Sequence, residues 1–156
     1  MKLSTSVFVL GVGAVIAARG AAPKQTITHE TVLYAIMTFR VDPLSEDARQ
    51  AGAVVMRFVE QSHDVVVKIS SKTLPFLSNK SLPEKYRATL LAAFVVGNVD
   101  SQLLRHQKKD DWYAGLLQLI ESYHQMRWKN PKLRISEVEK FIEMQNRGEL
   151  KAYGSS

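Results

Sequence analysis

The segment from Ser81 to about Gln107 constrains this chain most. Leu90, Leu91, Phe94, Val95, Val96, Val99 and Leu103 recur there at helical spacing, covering most of the helix surface rather than one stripe. A helix that is apolar nearly all round has to be surrounded, so it is expected at the centre of the molecule. Ala93 and Gly97 stand one turn apart on it, which lets a neighbouring backbone come close. Ser81-Leu-Pro-Glu84 has the form of a capping box, in which the serine and the glutamate three residues on satisfy free amides reciprocally. Arg105, Lys108 and Lys109 follow at its far end, where cations oppose the dipole's negative pole.

The partners for this central helix read as helices too. Val32, Ile36 and Phe39 share one face of a helix from about Thr28 to Phe39, which Asp42-Pro43 stops. A longer stripe, Val54, Val55, Phe58, Ser62, Val65, Val66 and Ile69, predicts a second helix from about Ser45 to Ser70. Thr73 to Lys80, with Leu74-Pro75 and Ser78-Asn79, reads as a loop. Asp110 is the expected cap of a fourth helix from about Asp111 to Lys129, with Trp112, Leu116, Leu119, Ile120 and Tyr123 inward and Asn130-Pro131 as its stop. Ser136-Glu-Val-Glu139 suggests a second capping box, opening a short helix that Gly148 ends. No strand and no fixed-period repeat is expected. Short connections make successive helices antiparallel neighbours, so the expected fold is all-α: an up-and-down bundle of four main helices plus a short C-terminal helix.

The N-terminus is expected to be a secretory signal peptide over residues 1–20. Lys2 supplies a charge, Val7 to Ala18 a short apolar run, and Ala17 to Ala22 a small-residue stretch suited to cleavage before Ala21. The run is shorter than the roughly 20 apolar residues that a membrane span needs, and it contains Gly11 and Gly13. Residues 21–148 then form the bundle domain and 149–156 a flexible tail, with a secreted or periplasmic destination and no membrane span after signal cleavage. The chain contains no cysteine, so packing alone must hold it together, and thiol catalysis and cysteine-ligated metals are excluded. Its formal charge of +6 falls to about +4 once Lys2 and Arg19 leave, a modest excess that ordinary soluble domains share.

One repeated spacing points to chemistry. Glu60-Gln-Ser-His63 falls on the second helix and Glu121-Ser-Tyr-His124 on the fourth. Two Glu-x-x-His motifs on facing helices, with a glutamate from each of two more, are the ligand set of two-metal carboxylate bundles. The helical wheel argues the other way: Glu60 lies almost opposite the apolar stripe, Glu121 points away from the core, and the third helix has no mid-helix glutamate. No cofactor is therefore expected, and no nucleophile turn or phosphate-binding glycine loop is present.

Two further groups stand out. Arg127-Trp128-Lys129, with Lys132 and Arg134, sets four cations around a tryptophan, a pattern able to grip an anionic polymer or polysaccharide; the plainer alternative is helix-end cations with Trp128 packed at the core edge. Asn98, Asp100 and Gln102 interrupt the central apolar helix and call for hydrogen-bond partners. Arg127 is a candidate partner for Asp100, with Tyr113 and Tyr123 as further lining of an interhelical polar site. The leading functional expectation, reached largely by elimination, is an exported non-enzymatic helical domain that binds a partner protein or cell-envelope component. Nucleic acid is not an expected partner. A two-metal enzyme and an anionic-polymer binder are the alternatives, and a contiguous exposed apolar patch would favour partner binding.

Overall fold

A computed structural model describes residues 26–153, and the expected signal peptide lies outside them. The described chain is all-helical: α1 (His29–Val41), α2 (Glu46–Gln61), α3 (Glu84–Arg105), α4 (Trp112–Lys129), α5 (Ser136–Asn146) and α6 (Leu150–Tyr153), with one 3-10 turn at Pro75–Ser78. The bundle architecture is as the sequence predicts. Helix α3 is its spine, with its closest packing against α4 and further faces on α1 and α2, and Leu90, Phe94, Val96 and Val99 are fully buried.

Glycine sets how close the spine and α4 come. A Cβ added to Gly97 would stand 2.5 Å from the Ala114 carbonyl oxygen and from the Gln118 Cβ. The relation is reciprocal, since a Cβ on Gly115 of α4 would meet the Phe94 ring at 2.7 Å and its carbonyl oxygen at 2.8 Å. Each helix thus offers a bare stretch of backbone to the other.

Three helix starts carry a side-chain cap: Thr28 accepts from the Thr31 amide (3.2 Å), Ser45 from Ala48 (3.0 Å) and Asp111 from Ala114 (3.1 Å). The two capping boxes expected from sequence do not form. Pro83 stands at the N-cap of α3, and the Ser81 amide donates instead to Asn79 in the turn that seats Leu82. Ser136 is the first residue inside α5 rather than its cap, and Glu139 is engaged by Tyr123 and Arg127. Asp110 does not cap α4; its neighbour Asp111 does.

Helix α2 is shorter than its stripe predicts. It stops at Gln61; the Ser62 hydroxyl accepts the Asp64 amide (2.9 Å), and residues 65–70 run irregular and non-helical. Three consecutive β-branched valines favour that backbone over a helix. The Gln102 side chain provides what a neighbouring strand would: its Oε1 accepts the Val66 N–H (3.0 Å) and its Nε2 donates to the Val66 carbonyl (2.8 Å). Val65 is buried as expected from the stripe, whereas Ile69 is exposed.

At the other end, α5 closes with the paired bonds of a Schellman motif, Gly148 N–H to Gln145 O and Glu149 N–H to Met144 O, around Gly148 at φ 73°. The segment after Gly148, expected to be a tail, is docked as far as Tyr153. Leu150 is buried, Tyr153 packs edge-on against Phe141 at 5.5 Å, and its hydroxyl donates to the Lys72 carbonyl at 3.0 Å.

Candidate functional site

The paired Glu-x-x-His motifs do not share a helical frame. His63 lies in the bend beyond the end of α2, so only the Glu121–His124 pair sits on one helix. Glu60, His63, Glu121 and His124 are all exposed, and among the described residues no group of three or more His, Asp or Glu side chains is placed to hold a metal ion.

In the basic run, two of the cations are already committed. Arg127 pairs with Glu139 (3.2 Å) and lies over the Tyr123 ring, while Lys129 hydrogen-bonds Asp42 and holds that carboxyl below its usual range. Arg134 donates to the carbonyls of Pro131 (2.9 Å) and Leu133 (2.8 Å), and Lys132 is exposed. Trp128 is not at the core edge; it is 86% exposed, because its position on α4 lies outside the buried arc of Leu119, Tyr123 and Met126.

The interhelical polar residues do find partners, in two separate networks. Asp100 is bound by Arg40 (2.8 Å), not by Arg127, and Arg40 also donates to Gln118 (2.6 Å), which donates to Ser122 (3.3 Å). This chain ties α1 to α3 and α4, and it beds Arg40 beside a cavity of about 390 Å3 that Gly97, Leu104 and Glu121 also line. The second network centres on Asn98, which donates to Asp110 (2.9 Å) and accepts from Gln102 (2.6 Å) and the Asp111 amide (3.1 Å). Asp110 in turn accepts the Lys68 amide (3.1 Å), and Ser101 donates to Asp111 (2.6 Å). Among the described residues no buried side-chain nitrogen or oxygen lacks a partner, so these groups are satisfied by the fold. Tyr123 belongs to neither network. Burial, with help from its bond to Glu139 (2.7 Å), pushes its phenol up to about 12, and its oxygen accepts the Ile135 amide (3.0 Å).

A surface feature is absent from the candidates drawn from sequence. On α1, Leu33 is 38% exposed, Tyr34 74%, Met37 67% and Val41 83%. At about 100° per residue these four fall within one arc of roughly 100°. The buried face of Val32, Ala35, Ile36 and Phe39 lies on the other side. Helix α1 is therefore apolar twice over, inward to the core and outward to solvent, and the second arc was readable in the sequence as Leu33-Tyr34-x-x-Met37-x-x-x-Val41. Leu104 of α3, also exposed, joins Leu33 along a cleft of about 560 Å3 that includes His29, His63 and His106. His29 donates from Nε2 to the Asp64 carboxylate across 2.8 Å and stands edge-on to Phe58 at 5.6 Å, which steadies the cleft's rim.

Compared with protein-family models, with curated proteins and with solved structures, the chain has no match.

Proposed function

We propose that this chain is a non-enzymatic protein-binding domain, exported to the cell envelope or beyond, that engages its partner through the outward face of α1. The observation that carries this reading is the contiguous apolar arc of Leu33, Tyr34, Met37 and Val41. Scattered exposed apolar residues need no explanation, but a second apolar face on one helix is what a docking surface requires. Tyr34 and Met37 are side chains that interfaces favour, one a rigid amphipathic ring and the other an adaptable chain. The cleft beside Leu33 and Leu104 offers a recess for a partner's side chain, the arrangement in which interface energy concentrates. The two-metal reading draws no support from the exposed Glu-x-x-His residues, nor does the polymer-binding reading from the run at Arg127–Arg134, where carboxylates hold Arg127 and Lys129.

The test is site-specific photo-crosslinking in the producing cells. A photoreactive residue at Met37 or Val41 should give a discrete adduct that one at exposed Arg147 does not, and Tyr34→Glu should abolish it. An adduct of twice the chain's mass would identify the partner as a second copy. Equal labelling at all three positions would overturn the proposal. Export is tested separately: N-terminal sequencing of extracellular or envelope material should begin near Ala21, and an intact Met1 in a cytoplasmic pool would sink that part.

A further inference from the structure

We propose a second binding site, for a carboxylated polysaccharide chain, in the groove where the end of α3 meets the start of α4. Two cavities of about 370 and 600 Å3 adjoin there and share Lys109, Asp110 and Trp112 as common wall. Lys151 of α6 and Arg105 border the first; Lys68 and Lys108 border the second. None of the four lysines is in an ion pair with a described residue, and Arg105 lies 3.5 Å from Asp111.

The acids of the groove are turned to the fold. Asp110 accepts from Asn98 and from the Lys68 amide through one oxygen, and Asp111 accepts from Ser101 through one oxygen and the Ala114 amide through the other. With both aspartates counted at full charge the groove still carries an excess of three positive charges, from Lys68, Arg105, Lys108, Lys109 and Lys151. A concave cationic surface raises the local concentration of an anionic ligand.

The same hydrogen bonds pre-position the cations. The loop between α3 and α4 begins at His106 in the left-handed region (φ 51°), and the Gln107 amide returns to the Gln102 carbonyl at 3.1 Å. Asp110 and Asp111 then anchor its far end, so Lys108 and Lys109 project from a backbone held at both ends. Ordering such a loop in advance lowers the entropy lost on binding.

Sugar is favoured over nucleic acid by the kind of groups present. Trp112 and Tyr113 meet edge-to-face, ring centroids 6.0 Å apart, which gives one aromatic platform and no succession of parallel faces for stacked bases. The cations are lysines apart from Arg105, and lysine acts as a point charge without the planar fork that reads phosphate and base edges. Trp112 in the wall common to both cavities, with Arg105 and Lys151 along one and Lys68 and Lys108 along the other, matches a chain of uronate units, whose C–H faces pack on a ring and whose carboxylates pair with cations. This site shares no residue with the outward face of α1 and stands or falls independently of it.

The experiment uses W128F, in which Trp112 is the sole tryptophan. Its fluorescence and titration calorimetry are followed together as a galacturonic acid hexamer is added. Saturable binding that changes the Trp112 signal is expected, weakened about 10-fold or more in K109A/K151A, the scale of losing about 1.4 kcal/mol, and unchanged in K132A/R134A. Absence of saturable binding, heat without a Trp112 response, or equal affinity in K109A/K151A would overturn the site. Equal binding of a neutral cellohexaose would overturn the role of charge, and tighter binding of a hexathymidylate would overturn the ligand class.

Discussion

Asn98 is fully buried on the most apolar helix of the chain, yet it makes three hydrogen bonds, one to Gln102 a turn away and two to the loop that leads into α4. Replacing it by alanine leaves Gln102, Asp110 and the Asp111 amide short of a partner, and each buried group so stranded costs about 1–3 kcal/mol. Urea melts of Asn98→Ala should therefore show a loss of at least that size, and a change under about 0.5 kcal/mol would mean that water replaces the side chain. Tyr123 gives a second residue-scale expectation, read from alkaline pH. The folded phenol keeps its proton up to about 12, against an unfolded value of 10.0. The folded state thus holds more protons than the unfolded state between those values, and stability falls as pH rises from about 10 to 12. Tyr123→Phe should lose that component of the alkaline slope while lowering stability at neutral pH, since the Ile135 amide and Glu139 lose a partner; an unchanged slope would show that Tyr123 is not its source. For the histidines the expectation is the opposite, a near-absence of effect: His63→Ala and His124→Ala, both exposed, should each shift stability by no more than about 0.5 kcal/mol in thermal melts, with or without added zinc.

At the scale of elements, helix identity was legible, and so were the stops at Asp42, Asn130 and Gly148, whereas the end of α2 and the caps of α3 and α5 were not. The central position of α3 follows from its all-round apolar surface, and α4 follows from its inward set. The end of α2 was obscured because Val65, Val66 and Ile69 continue its stripe in phase, and periodicity alone does not reveal that Gln102, 36 residues further on, takes both backbone groups of Val66. The capping boxes failed for a related reason. Pro83 and Ile135 occupy the cap positions, and the Glu139 that would have closed one box is bound by Tyr123 and Arg127 from another helix. Likewise the need of Asp100 for a partner is legible in the sequence, but Arg40 is 60 residues away and nothing local points to it. Gln102→Leu tests the side-chain clasp on the 65–70 segment. Hydrogen exchange at the Val66 amide should accelerate by about 10-fold or more, the equivalent of one hydrogen bond's net contribution. Protection equal to the wild type would assign the segment's order to Val65 packing instead.

For the whole molecule, the inward hydrophobic pattern told the architecture and concealed the surface. On α1 the in-phase set Val32, Ile36 and Phe39 masks Leu33, Tyr34, Met37 and Val41, because a helix apolar on two faces has a blurred periodicity. If the outward arc serves recognition rather than packing, Met37→Glu should leave the melting temperature nearly unchanged, within about 0.5 kcal/mol, while abolishing crosslinking at Val41. A large loss of stability would place Met37 in the fold's own packing.

The reciprocal glycines also have a mechanical meaning. Gly97 and Gly115 work as a register lock: sliding α4 by one helical turn, about 5.4 Å, would press a side chain into backbone where only hydrogen now fits. Shear between packed helices, a common way for bundles to respond to ligands, is thereby denied to the α3–α4 pair. Where α1 meets that pair, Arg40 bonds Asp100 and Gln118, and bonds of this kind can break and re-form. If a partner docks on α1 as proposed, it meets a helix seated on a rigid hairpin, and Gly97→Ala, by forcing the hairpin apart, would loosen that seat.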